Sequence, residues 1–210
     1  MSNIGAFIEA NRRNWDERVP IHRRDGTGFY AVERFIAGEK RLHAIETGEL
    51  GEVAGKHVIH LQCHFGLDTL ILARHGAIVT GLDFSPAAIE EAKRLAAGTG
   101  LPAQFVCADV YDARHAVSGE FDIAYVTWGT ICWLPDLPRW ARVIASLLAP
   151  GGFLYFADAH PIEFGYLGLG HPIVCQRTDA AELGGLYVAN FASNRPAALY
   201  RLRHGGIDWL

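Results

Sequence analysis

Residues 58–83 read VIHLQCHFGLDTLILARHGAIVTGLD, and the fold follows from them. An apolar run (Val58, Ile59, Leu61) meets a turn ending at Gly66, a helix-like run continues to Ala73, and a second apolar run, Ile78 to Leu82, stops at Asp83. Strand, turn, helix, strand, acid is the order of a unit that grips a nucleoside. The acid arrives 22 positions after Leu61, where a ribose-binding carboxylate is expected at the end of the second strand. The plainer reading of Asp83 is a turn carboxylate, but its place between an apolar strand and Phe84-Ser85-Pro86 favours the ligand.

Outward from this unit, helical and apolar runs alternate with short turns, the pattern of a parallel sheet covered on both faces. The spacing predicts strands near 57–62, 77–82, 103–108, 121–127 and 152–158, and helices near 67–75, 86–97 and 136–149. Ser85-Pro86 is a helix cap followed by proline at the first helical position, and Ala149-Pro150-Gly151-Gly152 ends a helix and turns into a strand. Upstream, Ile4, Phe7, Ile8, Trp15 and Val19 predict a helix over 2–19 stopped by Pro20, and a second helical patch covers 31–45. These helices precede the first strand and are free to cap a site. After Pro161 the sequence is glycine-rich without a sustained period, and its last segment reads as a helix, a glycine stop and the opening of a strand. We expect one domain over 1–210: cap helices in 1–50, a binding core in 56–160 and an irregular segment in 161–210.

Composition narrows the class. At 210 residues and 50% apolar, the chain suits one substantial core. A net charge of −4, with no basic run longer than Arg23-Arg24, gives no field for a phosphate backbone, so nucleic acid is not expected as a partner. No run approaches the roughly 18 apolar residues of a membrane span, and the N-terminus has no cleavable signal pattern, so the expected place is the cytosol. Cys63, Cys107, Cys132 and Cys175 lie far apart, the first three within apolar segments, and read as reduced, buried small hydrophobes without a disulfide.

The turn chemistry selects the ligand. Holding a pyrophosphate requires glycines that let backbone amides approach closely. Gln62-Cys63-His64-Phe65-Gly66 has one. That argues against NAD or FAD and fits an adenosine ligand without phosphate, such as S-adenosylmethionine. Asp109, after Phe105-Val106-Cys107-Ala108, is a candidate acceptor for the adenine amino group, with a capping role as the alternative.

The blocks NRRNWDERVPIH (11–22), HVIHLQCHFGLDTL (57–70), VTGLDFSPAAIEEAKRLA (79–96), FVCADVYD (105–112), FDIAYVTWG (121–129) and LLAPGGFLYFADAHP (147–161) resemble the class I S-adenosylmethionine-dependent methyltransferases, in particular the small-molecule branch. The resemblance implies a Rossmann-like α/β fold, a doubly wound and mostly parallel sheet closed by an antiparallel hairpin that this sequence leaves truncated. It implies cofactor contacts at Cys63, His64, Phe65 and Gly66, at Asp83 with Phe84, at Asp109 with Val110, and at Thr127, Trp128 and Gly129. His60, Gln62 and His64 stand where the family carries an acid and glycines. An unfinished sheet edge calls for cover, and a homodimer would supply it.

Other features have competing readings. His57, His60, Cys63 and His64 look like a metal cluster, but His57 and Cys63 would be roughly 20 Å apart along a strand, so no metal is expected. Large aromatics are most often core, yet a sulfonium attracts aromatic faces. Trp128 is expected to line the site because it falls at a strand end, with Trp15 and Tyr30 on the cap. Methyl transfer is a direct displacement, so alignment and exclusion of water dominate, and a base serves only a poorly ionised acceptor. His160, at the rim after the fifth strand, is the first candidate for that base, against a structural role; Asp158 and His22 are the others. The expected activity is therefore methyl transfer from S-adenosylmethionine to a small molecule, with a non-catalytic module that binds the cofactor or S-adenosylhomocysteine as the alternative.

Overall fold

A computed structural model describes residues 4–158. Helix α1 (Ile4–Arg23), α2 (Val32–Ile36) and α3 (Ala44–Leu50) precede an alternating series: β1 (His57–Leu61), α4 (Leu67–Arg74), β2 (Ile78–Asp83), α5 (Pro86–Thr99), β3 (Gln104–Cys107), α6 (Ala113–Ala116), β4 (Phe121–Thr127), α7 (Leu137–Leu147) and β5 (Leu148–Ala157). Short 3-10 turns at Val110–Asp112 and Ile131–Trp133 follow β3 and β4. The sheet order is β3-β2-β1-β4-β5, and every pairing is parallel. The order reverses between β1 and β4, which opens a crevice at their carboxyl ends.

Strands apolar on both faces need helices on both faces. Ile59, Leu82, Val126 and Phe156 pack against Trp140, Ile144 and Leu147 of α7. On the opposite face Val58, Val79, Tyr125 and Tyr155 meet Leu50, Val53 and Leu72. The layered parallel architecture therefore stands as expected from the sequence.

Four local expectations are corrected. Helix α1 runs through Pro20 to Arg23. Proline removes one helical hydrogen bond, but the last turn is held from outside, by His22 on His64 and by Arg23 on Glu91. The 31–45 patch is two helices, because Gly38 takes φ +80° and the Arg34 carbonyl accepts from the Glu39 and Lys40 amides instead of a continuing turn. Strand β5 begins at Leu148, directly after α7; it pairs with Phe121 and bulges across Pro150-Gly151-Gly152 before rejoining the ladder at Phe153. Cys107 and Cys132 are exposed; only Cys63 of these three is buried. The expected C-terminal hairpin, Cys175 and His160 lie outside the described residues.

Side-chain bonds fix the cap over the core, among them two to α5 and its cap. Asp16 accepts from the Ser85 hydroxyl at 2.5 Å, the same hydroxyl that caps α5 by accepting from the Ala88 amide. Arg23 bonds Glu91 at 3.0 Å. Gly81 in β2 lets Phe105 lie against the strand: a Cβ there would sit 2.7 Å from the Phe105 ring and 2.9 Å from Cys63 Sγ. Gly81→Ala is expected to cost about 2 kcal/mol by overpacking, read as a lower urea midpoint at unchanged slope.

Candidate active site

The turn between β1 and α4 bends through three residues with positive φ: Gln62 (57°), His64 (51°) and Gly66 (73°). Left-handed backbone strongly favours glycine, so Gln62 and His64 hold a glycine-type path with bulky side chains. Tertiary bonds hold it there. The Cys63 amide donates to the Leu82 carbonyl at 3.0 Å, and the His64 amide donates to Asp83 Oδ2 at 2.8 Å. Asp83 Oδ1 accepts from the Ser85 amide at 2.9 Å. Each Asp83 oxygen thus holds one amide and keeps a lone pair for a ligand. Burial pushes this carboxyl up to about 6 against the pull of those amides.

The loop after β4 forms the opposite wall. Trp128 and Gly129 take consecutive positive φ values of 53° and 81°. Asp158 clasps this loop, accepting from the amides of Gly129, Thr130 and Ile131. Its carboxylate is committed to backbone donors, so the structure removes Asp158 as a candidate base. Glu46 of α3, fully buried, accepts from the Tyr125 hydroxyl, from Trp128 Nε1 at 3.2 Å and from the His43 amide at 2.6 Å. The indole of Trp128 is pinned by its N–H.

The cap closes the third side. Trp15 meets His64 and Trp133 edge-on, with centroids 5.2 and 5.5 Å apart. His22 Nδ1 and His64 Nε2 lie 2.9 Å apart, and Tyr30 stacks on His22 at 4.4 Å. Burial lowers the pKa of both histidines, His64 to about 3. Both rings are neutral at pH 7, one donating to the other, so His22 is a latch between cap and turn and not a free base.

These walls enclose a pocket lined by Trp15, Tyr30, Cys63, His64, Phe65 and Gly66, and by Asp83, Phe84, Thr127, Trp128 and Gly129. Eleven sequence-predicted positions converge there. Asp109 and Val110 line an adjoining lobe that shares Gln62, Asp83, Phe84 and Trp133 with the main pocket. Asp109 Oδ1 also caps the 3-10 turn by accepting from the Tyr111 amide at 2.9 Å, the alternative role considered for it. Sequence reasoning missed Gln62, Lys40, Asp68 and Thr130 in the lining and Glu46 behind it. Only Gln62, standing in a glycine position, left a signal. His60 is buried against Thr69 Oγ1 at 2.8 Å, and its pKa falls to about 3.

A family model described as a methyltransferase domain matches residues 58–152. Residues 58–152 are similar to a methyltransferase domain. Within the matched residues lie β1 to β4 and the turn between β1 and α4. A ubiquinone biosynthesis O-methyltransferase of Coxiella burnetii is 37% identical over 103 residues, 49% of this chain and 43% of that protein. The chain thus spans less than half the length of that relative. A protein of the same name from Chromobacterium violaceum is 27% identical over 97% of this chain and 82% of its own. Among solved structures, phosphoethanolamine N-methyltransferase 1 of Haemonchus contortus superposes with a TM-score of 0.54 at 17% identity, over 70% of this chain and 31% of that one. That likeness concerns the methyltransferase fold alone.

Proposed function

We propose that the chain transfers the methyl group of S-adenosylmethionine to a small-molecule acceptor by direct displacement. The observation that carries this reading is Asp83, a buried carboxylate with free lone pairs at the end of β2, inside a pocket whose turn is built for a ligand without phosphate. The residues present fit such a ligand. Gln62 Oε1 is buried without a donor among the described residues where the two lobes meet, an acceptor left for a ligand hydroxyl or amine.

When bound, S-adenosylmethionine supplies an electrophilic methyl group on a sulfonium. The chain's own part is to hold and to exclude. Asp83 accepts from the ribose hydroxyls, and the Asp109–Val110 lobe receives adenine. Trp15, Trp128 and Trp133 shield the centre from water, and an aromatic face near the sulfonium contributes about 0.5 to 2 kcal/mol. The relatives' name favours a hydroxyl oxygen as acceptor. His160, two positions beyond the Asp158 clasp, is our proposed base for it. We further propose that residues 1–50 cap a single domain, that the enzyme works in the cytosol on neither nucleic acid nor membrane, and that it pairs as a homodimer. No helix among the described residues is long and apolar enough to cross a membrane.

Titration calorimetry with S-adenosylmethionine, S-adenosylhomocysteine and NAD tests the reading. We expect binding of both sulfur compounds and none of NAD. Tight NAD binding without response to the others would sink it, and cofactor binding without turnover across an acceptor panel would make the chain a binding module.

A further inference from the structure

Trp128 directly follows β4 in the wall of the main pocket, and its backbone and its ring are held from different places. The backbone is tied to β5 and the residue after it: the Trp128 amide donates to the Ala157 carbonyl at 2.8 Å, and Asp158 takes the Gly129 amide. At φ +53° the chain leaves the strand here, so the sheet does not set the direction of the ring. Helix α3 holds the ring. Glu46 Oε1 accepts from Trp128 Nε1 at 3.2 Å and from the Tyr125 hydroxyl, and Oε2 accepts from the His43 amide at 2.6 Å. The His43 ring meets the indole edge-on, with centroids 4.9 Å apart. Glu46 is wholly buried and does not itself line the pocket. A carboxyl group taken out of water costs stability unless it is bonded, and a leucine in its place would carry no such cost. What a fully bonded buried network contributes is one fixed arrangement. Here the fixed part is an aromatic ring in the wall of a binding site.

We infer that Glu46 is a positioning residue of the active site: by holding the Trp128 indole it sets the pocket wall that meets the cofactor, without touching the ligand itself. This rests on the cofactor reading proposed above. Helix α3, which precedes the first strand, thereby belongs to the framework of the site. A purely structural Glu46 would instead hold α3 on the sheet through Tyr125, and ligand binding would be indifferent to it once the chain is folded.

The test is a double-mutant cycle read by titration calorimetry with S-adenosylmethionine on the full chain. Glu46→Leu removes the acceptor and Trp128→Leu removes the ring. Each is expected to weaken binding about fivefold, and the double variant no more than Trp128→Leu alone, because Glu46 acts through the ring. Glu46→Gln keeps an oxygen for the indole and should bind within about twofold of the unaltered chain. Losses that multiply in the double variant, or an unchanged dissociation constant in folded Glu46→Leu, overturn the proposal. A second measurement does not depend on whether Glu46→Leu folds. In the isotope-labelled unaltered chain, the Trp128 indole N–H signal, assigned by its loss in Trp128→Phe, should exchange with solvent about tenfold more slowly than a free indole and move when S-adenosylmethionine is added. Exchange at the free rate, or a signal unmoved by the ligand, overturns the proposal as well. If the unaltered chain does not bind S-adenosylmethionine, the cofactor reading fails and this inference with it; binding that Glu46→Leu leaves untouched fails the positioning role alone.

Discussion

Asp83→Ala is expected to weaken S-adenosylhomocysteine binding by about 1.5 to 3 kcal/mol, or roughly ten- to hundredfold, the scale of hydrogen bonds to a charged acceptor. The loss has a second component. Asp83 also holds the His64 and Ser85 amides, and an unsatisfied buried donor costs about 1 to 3 kcal/mol. His64 sits at φ +51°, so without that bond the turn relaxes toward a path that glycine is not needed to follow. The variant should therefore lose stability as well as affinity. Asp83→Asn separates the two, since one carbonyl oxygen remains to accept an amide while the charge is gone. Calorimetry on each variant, beside its urea midpoint, gives both quantities, and an unchanged dissociation constant in folded Asp83→Ala removes Asp83 from the site.

Asp83 was legible because strand ends in a parallel sheet are marked by the sequence itself: an apolar run stops, and the next residue is an acid. The same logic found Thr127 and Trp128, where Phe121 to Val126 runs out. What could not be read was partnership across distance. Asp158 looked like a rim carboxylate suited to proton transfer, but its three amide donors belong to a loop 27 to 29 positions earlier. Glu46 carried no signal at all, since an acid in a short helix is ordinarily a solvated one, and only packing brings Tyr125, 79 positions on, to its carboxylate. Pro20 misled for a related reason. Its local rule is correct, and tertiary bonds from His22 and Arg23 outweigh one missing helical bond.

Glu46 should make the protein less stable as pH rises, the reverse of a surface carboxylate. Burial, reinforced by the nearby charge of Asp68, lifts its pKa from 4.5 to about 7, while its bonds from Tyr125, His43 and Trp128 pull the other way. A folded-state pKa above the unfolded value means that the folded protein binds the proton more tightly. The stabilisation is then complete below pH 4.5 and lost as pH rises through 7. The shift corresponds to roughly 3 kcal/mol. Asp83, lifted to about 6, adds a loss of the same sign that ends about one pH unit lower. Asp25, lowered to about 2, loses its contribution only below pH 3.8 and leaves this window untouched. His60 and His64, lowered to about 3, act the other way and add stability as pH rises to 6.5, so Glu46 is read from the difference between a variant and the unaltered chain. Glu46→Gln cannot ionise, so its stability relative to the unaltered chain should rise by roughly 3 kcal/mol between pH 4.5 and 8, while the Asp83 and histidine parts are common to both and cancel. Its carboxamide nitrogen meets the His43 amide donor to donor, which lowers its starting stability by about 1 kcal/mol at every pH. That offset leaves the slope intact as the diagnostic: a Glu46→Gln variant that keeps the full pH dependence would show that Glu46 is ionised in the folded state, with Tyr125 and Trp128 donating to a charged carboxylate beneath the pocket wall.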